Sequence, residues 1–148
     1  MTEREGGLSI AVGTDLIEIS RIGKAYRRWG ERFLKRVYTE EEREYFKQTR
    51  NENLIISEMA ARFAGKEAVA KTLGTGLKIL GSKTESGVGW KEIEILNESS
   101  GKPFVRLYGR AEEVALKEGM FGLEISLAHS RVYAVAAAVA LKQSRSYK

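Results

Sequence analysis

The central part of the chain places a carboxylate and an ammonium group on a face that is otherwise small and apolar. Residues 54–73 are rich in good helix formers and Gly74 follows them as a stop, so this stretch predicts a helix. On that helix Glu67 and Lys71 lie one turn apart, among alanine side chains. A charge on such a face must be paired, bound to a metal ion or open to a cleft. The alternative is an ordinary surface ion pair, which contributes only about 0.3–0.5 kcal/mol.

A second carboxylate follows a short apolar run near the start of the chain. Residues 8–12 predict a strand, and Gly13 then allows the backbone to turn or to approach a neighbour closely. We expect Asp15 to stand where this strand ends, and a helix N-cap or turn role is the alternative. The chain has no cysteine and a single histidine, His129, which excludes thiolate and multi-histidine metal sites. A metal ion would therefore use carboxylate and phosphate oxygens, which suit Mg²⁺.

Residues 21–37 form an amphipathic stretch with an unmixed basic side, which we call the basic stripe. Its apolar side chains recur at helical spacing: Ile22, Tyr26, Trp29, Phe33 and Val37. The basic stripe itself consists of Arg21, Lys24, Arg28, Arg32 and Lys35, and Gly30 divides the stretch into two shorter helices. The net charge of +5 and the pI of about 9.5 also favour anionic partners. A solvated face usually mixes signs, so we interpret the basic stripe as a docking surface for an acidic partner.

Capping and turn signals predict the remaining elements. Thr39 and Glu42 match a capping box, which starts a helix that reaches about residue 47. Residues 74–89 predict a glycine-rich loop, residues 88–96 and 104–108 a strand pair, and residues 110–118 a short helix. Residues 123–127 predict a strand, and the almost wholly apolar residues 132–141 predict a buried central strand. His129 stands at the turn between them, where a structural role and a phosphate contact both remain open.

Length and composition predict a single globular domain over residues 1–148, with flexible tails at 1–7 and 142–148. The chain is 43% hydrophobic and 30% charged, which excludes a disordered protein. Residues 1–7 are polar and do not resemble a signal peptide. No apolar run approaches the roughly 20 residues that a membrane-spanning helix needs. We therefore expect a cytoplasmic protein without a membrane partner.

Three separated motifs coincide in this order along the chain. They are Gly13-Thr14-Asp15 with Arg21, then Phe63-Ala64-Gly65-Lys66-Glu67-Ala68 with Lys71 and Gly74-Thr75-Gly76, and then Ser126-Leu127-Ala128-His129-Ser130. Together they resemble the holo-acyl-carrier-protein synthases, the small bacterial class of 4′-phosphopantetheinyl transferases. The resemblance implies an α+β fold in which an antiparallel sheet packs around a long central helix. It also implies a homotrimer with each active site at a subunit boundary.

The family's reaction, in fatty acid biosynthesis, moves the phosphopantetheine arm of coenzyme A to a serine of the apo acyl carrier protein. The resemblance implies that Asp15 and Glu67 are the magnesium ligands, with manganese as an alternative metal. It implies that Glu67, Lys71 and Asp15 are catalytic, with Lys71 offsetting transition-state charge and Glu67 as one candidate to accept the serine proton. The implied contacts to coenzyme A are Arg62, Lys66, His129 and Gly74. The implied contacts to the carrier protein are Arg21, Arg28 and Arg32.

The chain departs from the family pattern at a few positions. Ala128 stands where a hydroxyl residue is common, Gly65 replaces a usual alanine or serine, and the loop at 74–89 is longer. The alternative function is a non-enzymatic nucleic-acid-binding module that uses the basic stripe. Because that alternative leaves Asp15 and Glu67 unexplained, we expect no nucleic acid partner.

Overall fold

The computed structural model describes residues 7–78 and 87–144, which form an α+β fold around one long helix. The strands are β1 (Leu8–Glu18), β2 (Ile93–Asn97), β3 (Pro103–Leu107), β4 (Met120–His129) and β5 (Tyr133–Gln143). The helices are α1 (Ile19–Trp29), α2 (Glu31–Val37), α3 (Glu40–Lys47), α4 (Glu52–Leu73) and α5 (Gly109–Lys117). A 3₁₀ turn, Trp90–Glu92, precedes β2, so this strand begins at Ile93 rather than at the predicted residue 88. The predicted fold class is confirmed.

The larger sheet is antiparallel and has the order β1-β5-β4. Strand β1 pairs with β5 along its whole length, from Leu8 opposite Gln143 to Glu18 opposite Tyr133. Strand β4 pairs with the other edge of β5, and β2 and β3 form a separate hairpin. Strand β5 is therefore central in the sheet, as its apolar sequence predicted.

Small side chains let α4 lie close against the inner face of this sheet. Ala64 and Ala68 on the helix, and Ala134, Ala136 and Ala138 on β5, are all at most 1% exposed. Alanine carries no rotamer entropy to lose on burial, so this contact orders few degrees of freedom. The core of the molecule lies at this contact.

Helix ends follow the capping signals of the sequence. Thr39 and Glu42 make both hydrogen bonds of a capping box at the start of α3. Asn51 accepts from the Leu54 backbone N–H at 3.1 Å, which starts α4 at Glu52, two residues before the predicted position. Gly30 adopts a φ of 52° and divides α1 from α2, as predicted.

Strand β1 is longer than the sequence predicted. It continues through Gly13 and Asp15 to Glu18, so the expectation that Asp15 marks the strand end is wrong. Glycine and aspartate disfavour strands, but β5 supplies a continuous partner that overrides this preference.

The chain ends are also more ordered than predicted where the structure describes them. Strand β5 runs to Gln143, and Ser144 Oγ donates to the Gly7 carbonyl at 2.9 Å, so Gly7 and residues 142–144 belong to the sheet region rather than to tails. Residues 1–6, 79–86 and 145–148 lie outside the described residues, and with them most of the predicted loop and both outer tails. The single-domain organisation therefore stays a prediction. Over the described ranges, no helix has both the length and the apolar character to span a bilayer.

The outer face of the larger sheet is apolar and exposed. Its side chains are between 39% and 66% exposed: Leu8, Ile10, Val12, Leu16, Tyr133, Val135, Val139 and Leu141. Within one chain β5 is thus buried on its inner face only, which corrects the prediction of a fully buried strand. An apolar patch of this extent is rare on a monomer's surface and marks an interaction site.

Candidate active site

Strand β1 crosses α4 where the predicted catalytic residues lie. A Cβ atom on Gly13 would stand 2.0 Å from the Ala68 carbonyl oxygen, so the two backbones touch at a point where only glycine fits. Asp15 is two residues further along β1 and shares the helix-facing side of the strand with Gly13, because strand side chains alternate. Glu67 directly precedes Ala68 on α4. The close approach at Gly13 therefore brings the Asp15 carboxylate towards Glu67 and Lys71.

Lys71 joins the helix to the strand at this crossing. Its Nζ donates to the Thr14 carbonyl oxygen at 2.7 Å and lies 3.4 Å from Asp15 Oδ1. The Lys71 side chain is 52% exposed and the Asp15 side chain 20%, so the pair opens to solvent. In the described residues the ion-pair partner of Lys71 is therefore Asp15 on the strand, rather than Glu67 one turn away.

Glu67 combines partial burial with a neighbouring negative charge. Loss of hydration raises the pKa of the Glu67 carboxyl group, the charge of Asp15 raises it further, and the Lys71 ammonium lowers it. The effect of the Asp15 charge on Glu67 means that the two carboxylates lie within electrostatic range of each other. The crossing thus holds two like charges together with one lysine to offset them.

This donor set fits a hard divalent cation. Among residues 7–78 and 87–144, no three His, Cys, Asp or Glu side chains are close enough to form a cation site by themselves. Asp15 and Glu67 offer two carboxylates, and Mg²⁺ commonly takes one or two from protein while water and substrate phosphates fill its other positions. A bound cation would also relieve the repulsion that raises the pKa of Glu67.

Removal of the Glu67 charge should stabilise the metal-free protein. The pKa of the Glu67 carboxyl group is higher in the folded than in the unfolded chain. The folded protein therefore loses stability as the pH rises through the folded pKa and Glu67 becomes charged. Glu67→Gln should raise the thermal midpoint at pH 7–8 by about 2–4 °C per kcal/mol of repulsion removed. The difference should vanish near pH 4, and added Mg²⁺ should stabilise only the wild type. Calorimetry with chelator checks this; an equal or lower midpoint for the variant at pH 8 contradicts it.

Comparison with known proteins assigns this arrangement to a family. Residues 11–138 match the model of the 4′-phosphopantetheinyl transferase superfamily. A holo-[acyl-carrier-protein] synthase from Herpetosiphon aurantiacus is 43% identical over 132 residues, which cover 89% of this chain and 98% of that protein. The chain belongs to the holo-[acyl-carrier-protein] synthase family. The predicted resemblance is confirmed, and the alternative of a nucleic-acid-binding module gains no support.

Solved structures of this family share the fold. The Plasmodium yoelii acyl carrier protein synthase with ADP bound gives a TM-score of 0.76 at 30% identity, covering 94% of this chain and 100% of that one. The Bacillus anthracis holo-(acyl-carrier-protein) synthase in complex with CoA (3′,5′-ADP) gives a TM-score of 0.71 at 29% identity. The match covers 92% of this chain and 99% of that one.

His129 lies apart from the carboxylate pair within one chain. It pairs with Ala134 at the end of β4, whereas Asp15 lies opposite Ala136 on the other side of β5. A strand spacing of ~4.8 Å and a rise of ~3.3 Å per residue place the Cα atoms of His129 and Asp15 roughly 12 Å apart. His129 instead lines an open cavity of about 930 Å³, which we call the His129 cavity. Other polar residues of its lining are Ser20, Arg27, Asn51, Asn53, Ser57, Ser130 and Arg131.

The side chain of Arg62, a predicted contact to coenzyme A, is buried within the chain. Its side chain is 1% exposed, Nη1 lies 2.6 Å from Glu58 Oε2, and Nη2 donates to Asn97 Oδ1. The guanidinium centre also lies 4.2 Å from the centroid of the Tyr45 ring. Arg62 turns towards α3 and β2, where it joins buried elements, so its contact with coenzyme A stays a prediction that this geometry does not support.

Lys66 is likewise a structural residue. It is fully buried, and its Nζ donates to Glu42 Oε1 at 2.7 Å, to the Trp90 carbonyl oxygen at 3.0 Å and to the Ile93 carbonyl oxygen. These contacts use all three donors of an ammonium group. Burial lowers the pKa of Lys66, and the Glu42 carboxylate opposes that shift. No donor is left for a nucleotide in this arrangement, and the contact of Lys66 with coenzyme A stays a prediction that these hydrogen bonds do not support.

The remaining predicted residues are accessible. Gly74 ends α4 with a φ of 77° and open space around its Cα, and its contact with coenzyme A stays a prediction. Arg21, Arg28 and Arg32 are exposed on α1 and α2, and none of them forms an ion pair within the described ranges. Their contact with a carrier protein also stays a prediction.

Proposed function

We propose that this chain transfers the 4′-phosphopantetheine arm of coenzyme A to a serine of apo acyl carrier protein. The products are the holo carrier protein and adenosine 3′,5′-bisphosphate. The observation that carries the proposal is the cluster of Asp15, Glu67 and Lys71 at the crossing of β1 and α4, in a chain of this family. We also propose dependence on Mg²⁺, with Mn²⁺ as a substitute, and a role in fatty acid biosynthesis in the cytoplasm.

The residues at the crossing have separate roles in this reaction. Asp15 and Glu67 would hold the divalent cation, which supplies positive charge against the diphosphate of coenzyme A when it is bound. Lys71 uses its Nζ for contacts to Thr14 and Asp15, and a third N–H remains to donate to a phosphate oxygen. The half-exposed ammonium group would stabilise the negative charge that develops on the departing nucleotide.

The transfer exchanges one phosphorus–oxygen bond for another. The serine oxygen bonds to the phosphorus that carries pantetheine, and the bond from that phosphorus to the bridging oxygen breaks. The bridging oxygen leaves with adenosine 3′,5′-bisphosphate, and the serine proton must move to a base. We assign this proton to Glu67, because its carboxylate lies at the crossing with Asp15 and Lys71, where the phosphate reacts in this proposal.

A homotrimer would complete the site. The apolar outer face of the β1-β5-β4 sheet needs a cover, and further copies of the chain would supply it. Within one chain the His129 cavity lies apart from the Asp15–Glu67 pair, so we propose that His129 of one subunit and the pair of the next share one bound nucleotide. Arg27, Arg131 and His129 give this cavity donors for phosphate oxygens.

The test of the proposed function is a mass measurement on the carrier protein. Wild-type protein, coenzyme A, Mg²⁺ and apo acyl carrier protein are incubated, and intact-mass spectrometry follows the carrier. The proposal predicts a gain of one phosphopantetheine group, abolished by chelator and restored by Mg²⁺. Absence of any gain over a panel of fatty-acid and polyketide carriers would overturn it.

Charge reversal on the basic stripe should weaken carrier binding selectively. Arg21→Glu or Arg32→Glu should raise KM for the carrier protein at least roughly tenfold at low salt, because each exchanges an attraction for a repulsion. The KM for coenzyme A should not change, and the difference should shrink as salt screens the charges. Steady-state kinetics at two salt concentrations measures this, with the remote Lys117→Glu as the control. Equal effects in the control would show that net charge, rather than the stripe, matters.

A further inference from the structure

A cavity of about 280 Å³ lies among the helices α1, α2, α3 and α4. Of the described residues that line it, none belongs to the predicted catalytic, coenzyme A or carrier-protein contacts. Much of the lining is apolar, and Leu34, Phe46 and Met59 are each at most 7% exposed. The volume equals that of roughly nine water molecules in the liquid, which suits a small molecule. We call it the Arg43 cavity.

Arg43 on α3 brings a guanidinium group to this cavity without an internal partner. In the part of the chain that the structure describes, its Nε is buried and accepted by no hydrogen-bond partner, and its guanidinium group forms no ion pair. Lys47 also lines the cavity, but its ammonium group is paired with Glu44 at 2.9 Å. A buried donor without an acceptor is costly, so the Arg43 Nε calls for an acceptor from outside the chain.

We infer that the Arg43 cavity is a binding site for a small carboxylic acid with an apolar chain. In this arrangement the carboxylate accepts hydrogen bonds from the Arg43 guanidinium group, and the chain of the ligand packs against Leu34, Phe46 and Met59. The inference goes beyond the proposed function and does not depend on it, because the residues of the catalytic cluster lie outside this cavity.

The chemistry of the lining selects this class of ligand. A guanidinium group binds a carboxylate through two parallel hydrogen bonds, and Tyr26 and Thr49 add hydroxyl groups to the same lining. Water or a bare inorganic anion would satisfy the guanidinium group but would leave the apolar lining without dispersion contacts. Glu31 also lines the cavity and is exposed, and its carboxylate repels a second negative charge. A monoanion with an apolar chain therefore fits better than a phosphate ester.

A ligand in this cavity would contact four helices at once. Tyr26 belongs to α1, Leu34 to α2, Arg43 to α3 and Met59 to α4. The first two of these helices carry the basic stripe, and α4 carries Glu67. Because the ligand would hold these helices together only in the folded chain, binding should raise the thermal midpoint.

The first measurement compares three probes by isothermal titration calorimetry on the wild-type protein, without coenzyme A. Octanoate, kept below the concentration at which it forms micelles, has both the carboxylate and the chain. We expect it to bind at least roughly tenfold more tightly than 1-octanol, which lacks the charge. Acetate keeps the charge but lacks the chain, and it should give no measurable heat at the same concentration.

Two substitutions of opposite effect locate the carboxylate. Arg43→Gln should weaken octanoate binding at least roughly tenfold, because it removes the charged donor. Glu31→Gln should tighten it roughly two- to fivefold, because it removes a repelling charge. Arg110→Gln on α5 is the control for loss of an exposed arginine elsewhere and should bind octanoate like the wild type. Thermal midpoints without ligand verify that all three variants are folded.

Several results would overturn the inference. They are equal octanoate affinity in wild type and Arg43→Gln, 1-octanol that binds as tightly as octanoate, and inorganic phosphate that does so. Loss of octanoate binding in Arg131→Gln, with Arg43→Gln unchanged, would place the acid in the His129 cavity and would also overturn it. None of these measurements uses coenzyme A or a carrier protein, so a failure here leaves the proposed function standing.

Discussion

Asp15→Asn and Glu67→Gln should each lower turnover of the carrier protein by roughly a hundred- to a thousandfold. Each substitution removes one of the two carboxylates that β1 and α4 bring together, and with it the charge that would hold the cation beside the diphosphate. Asn at position 15 can still accept from Lys71, so the crossing should keep its structure. Turnover is measured from the carrier mass gain under saturating coenzyme A.

The matched control for this prediction is Glu113→Gln, because Glu113 is an exposed glutamate on α5, outside the site. It should keep full activity. Circular dichroism and thermal midpoints of all three variants separate loss of chemistry from loss of fold. Full activity of a folded Asp15→Asn or Glu67→Gln variant would refute the assignment of that carboxylate.

Breaking the buried pair of Lys66 and Glu42 should cost about 3–5 kcal/mol of folding free energy. Glu42→Ala leaves the Lys66 ammonium without its counter-ion and also removes the acceptor of the Thr39 and Ile95 backbone N–H groups, at 2.8 and 3.0 Å. Lys66→Met leaves the Glu42 carboxylate buried without a cation. Urea unfolding at 15 °C measures both free energies.

The double variant Glu42→Leu with Lys66→Met provides the control. Well-packed apolar residues in place of a buried ion pair are often neutral for stability, so the double variant should recover the part of the loss that comes from the unpaired charge. The part that comes from the backbone groups bonded to Glu42 and Lys66 should remain. At 15 °C the folded Lys66→Met protein should keep its KM for coenzyme A, since the three Lys66 donors are used inside the core. A large rise in that KM with unchanged stability would restore the binding role that the sequence suggested.

Local signals in the sequence predicted most helix boundaries correctly. Thr39 and Glu42 form the predicted capping box, Gly30 divides α1 from α2, and Gly74 ends α4. Each of these depends on a few adjacent residues and on backbone geometry that the residue types restrict. The long helix and the central position of β5 followed from composition over longer windows.

Long-range contacts set the features that the sequence did not reveal. Glu42 looked like a surface capping residue, and nothing local indicated that it also meets Lys66 in the core. Helical spacing placed Trp29 on the apolar side of residues 21–37, but it is the last residue of α1, just before Gly30, and it is 48% exposed. The site pair itself was predicted by resemblance to a family, because the spacing of Asp15 and Glu67 in the chain does not report their contact in space.

The prediction that β5 is buried on both faces failed for a different reason. Its residues alternate between alanines that face α4 and larger apolar residues that face outwards. Both sets are apolar, so the alternation was hidden and the strand looked buried on both sides. If other subunits cover this face, β5 is buried on both faces in the assembly, as the sequence predicted.

The most direct test of the account is a count of bound divalent cations. Electron paramagnetic resonance of free Mn²⁺ is measured with coenzyme A present, for wild type, Asp15→Asn, Glu67→Gln and Glu113→Gln. The account predicts one tightly bound ion per chain in wild type and in Glu113→Gln, and binding weakened by roughly tenfold or more in the two site variants. Equal Mn²⁺ binding in all four proteins would contradict a cation held by Asp15 and Glu67.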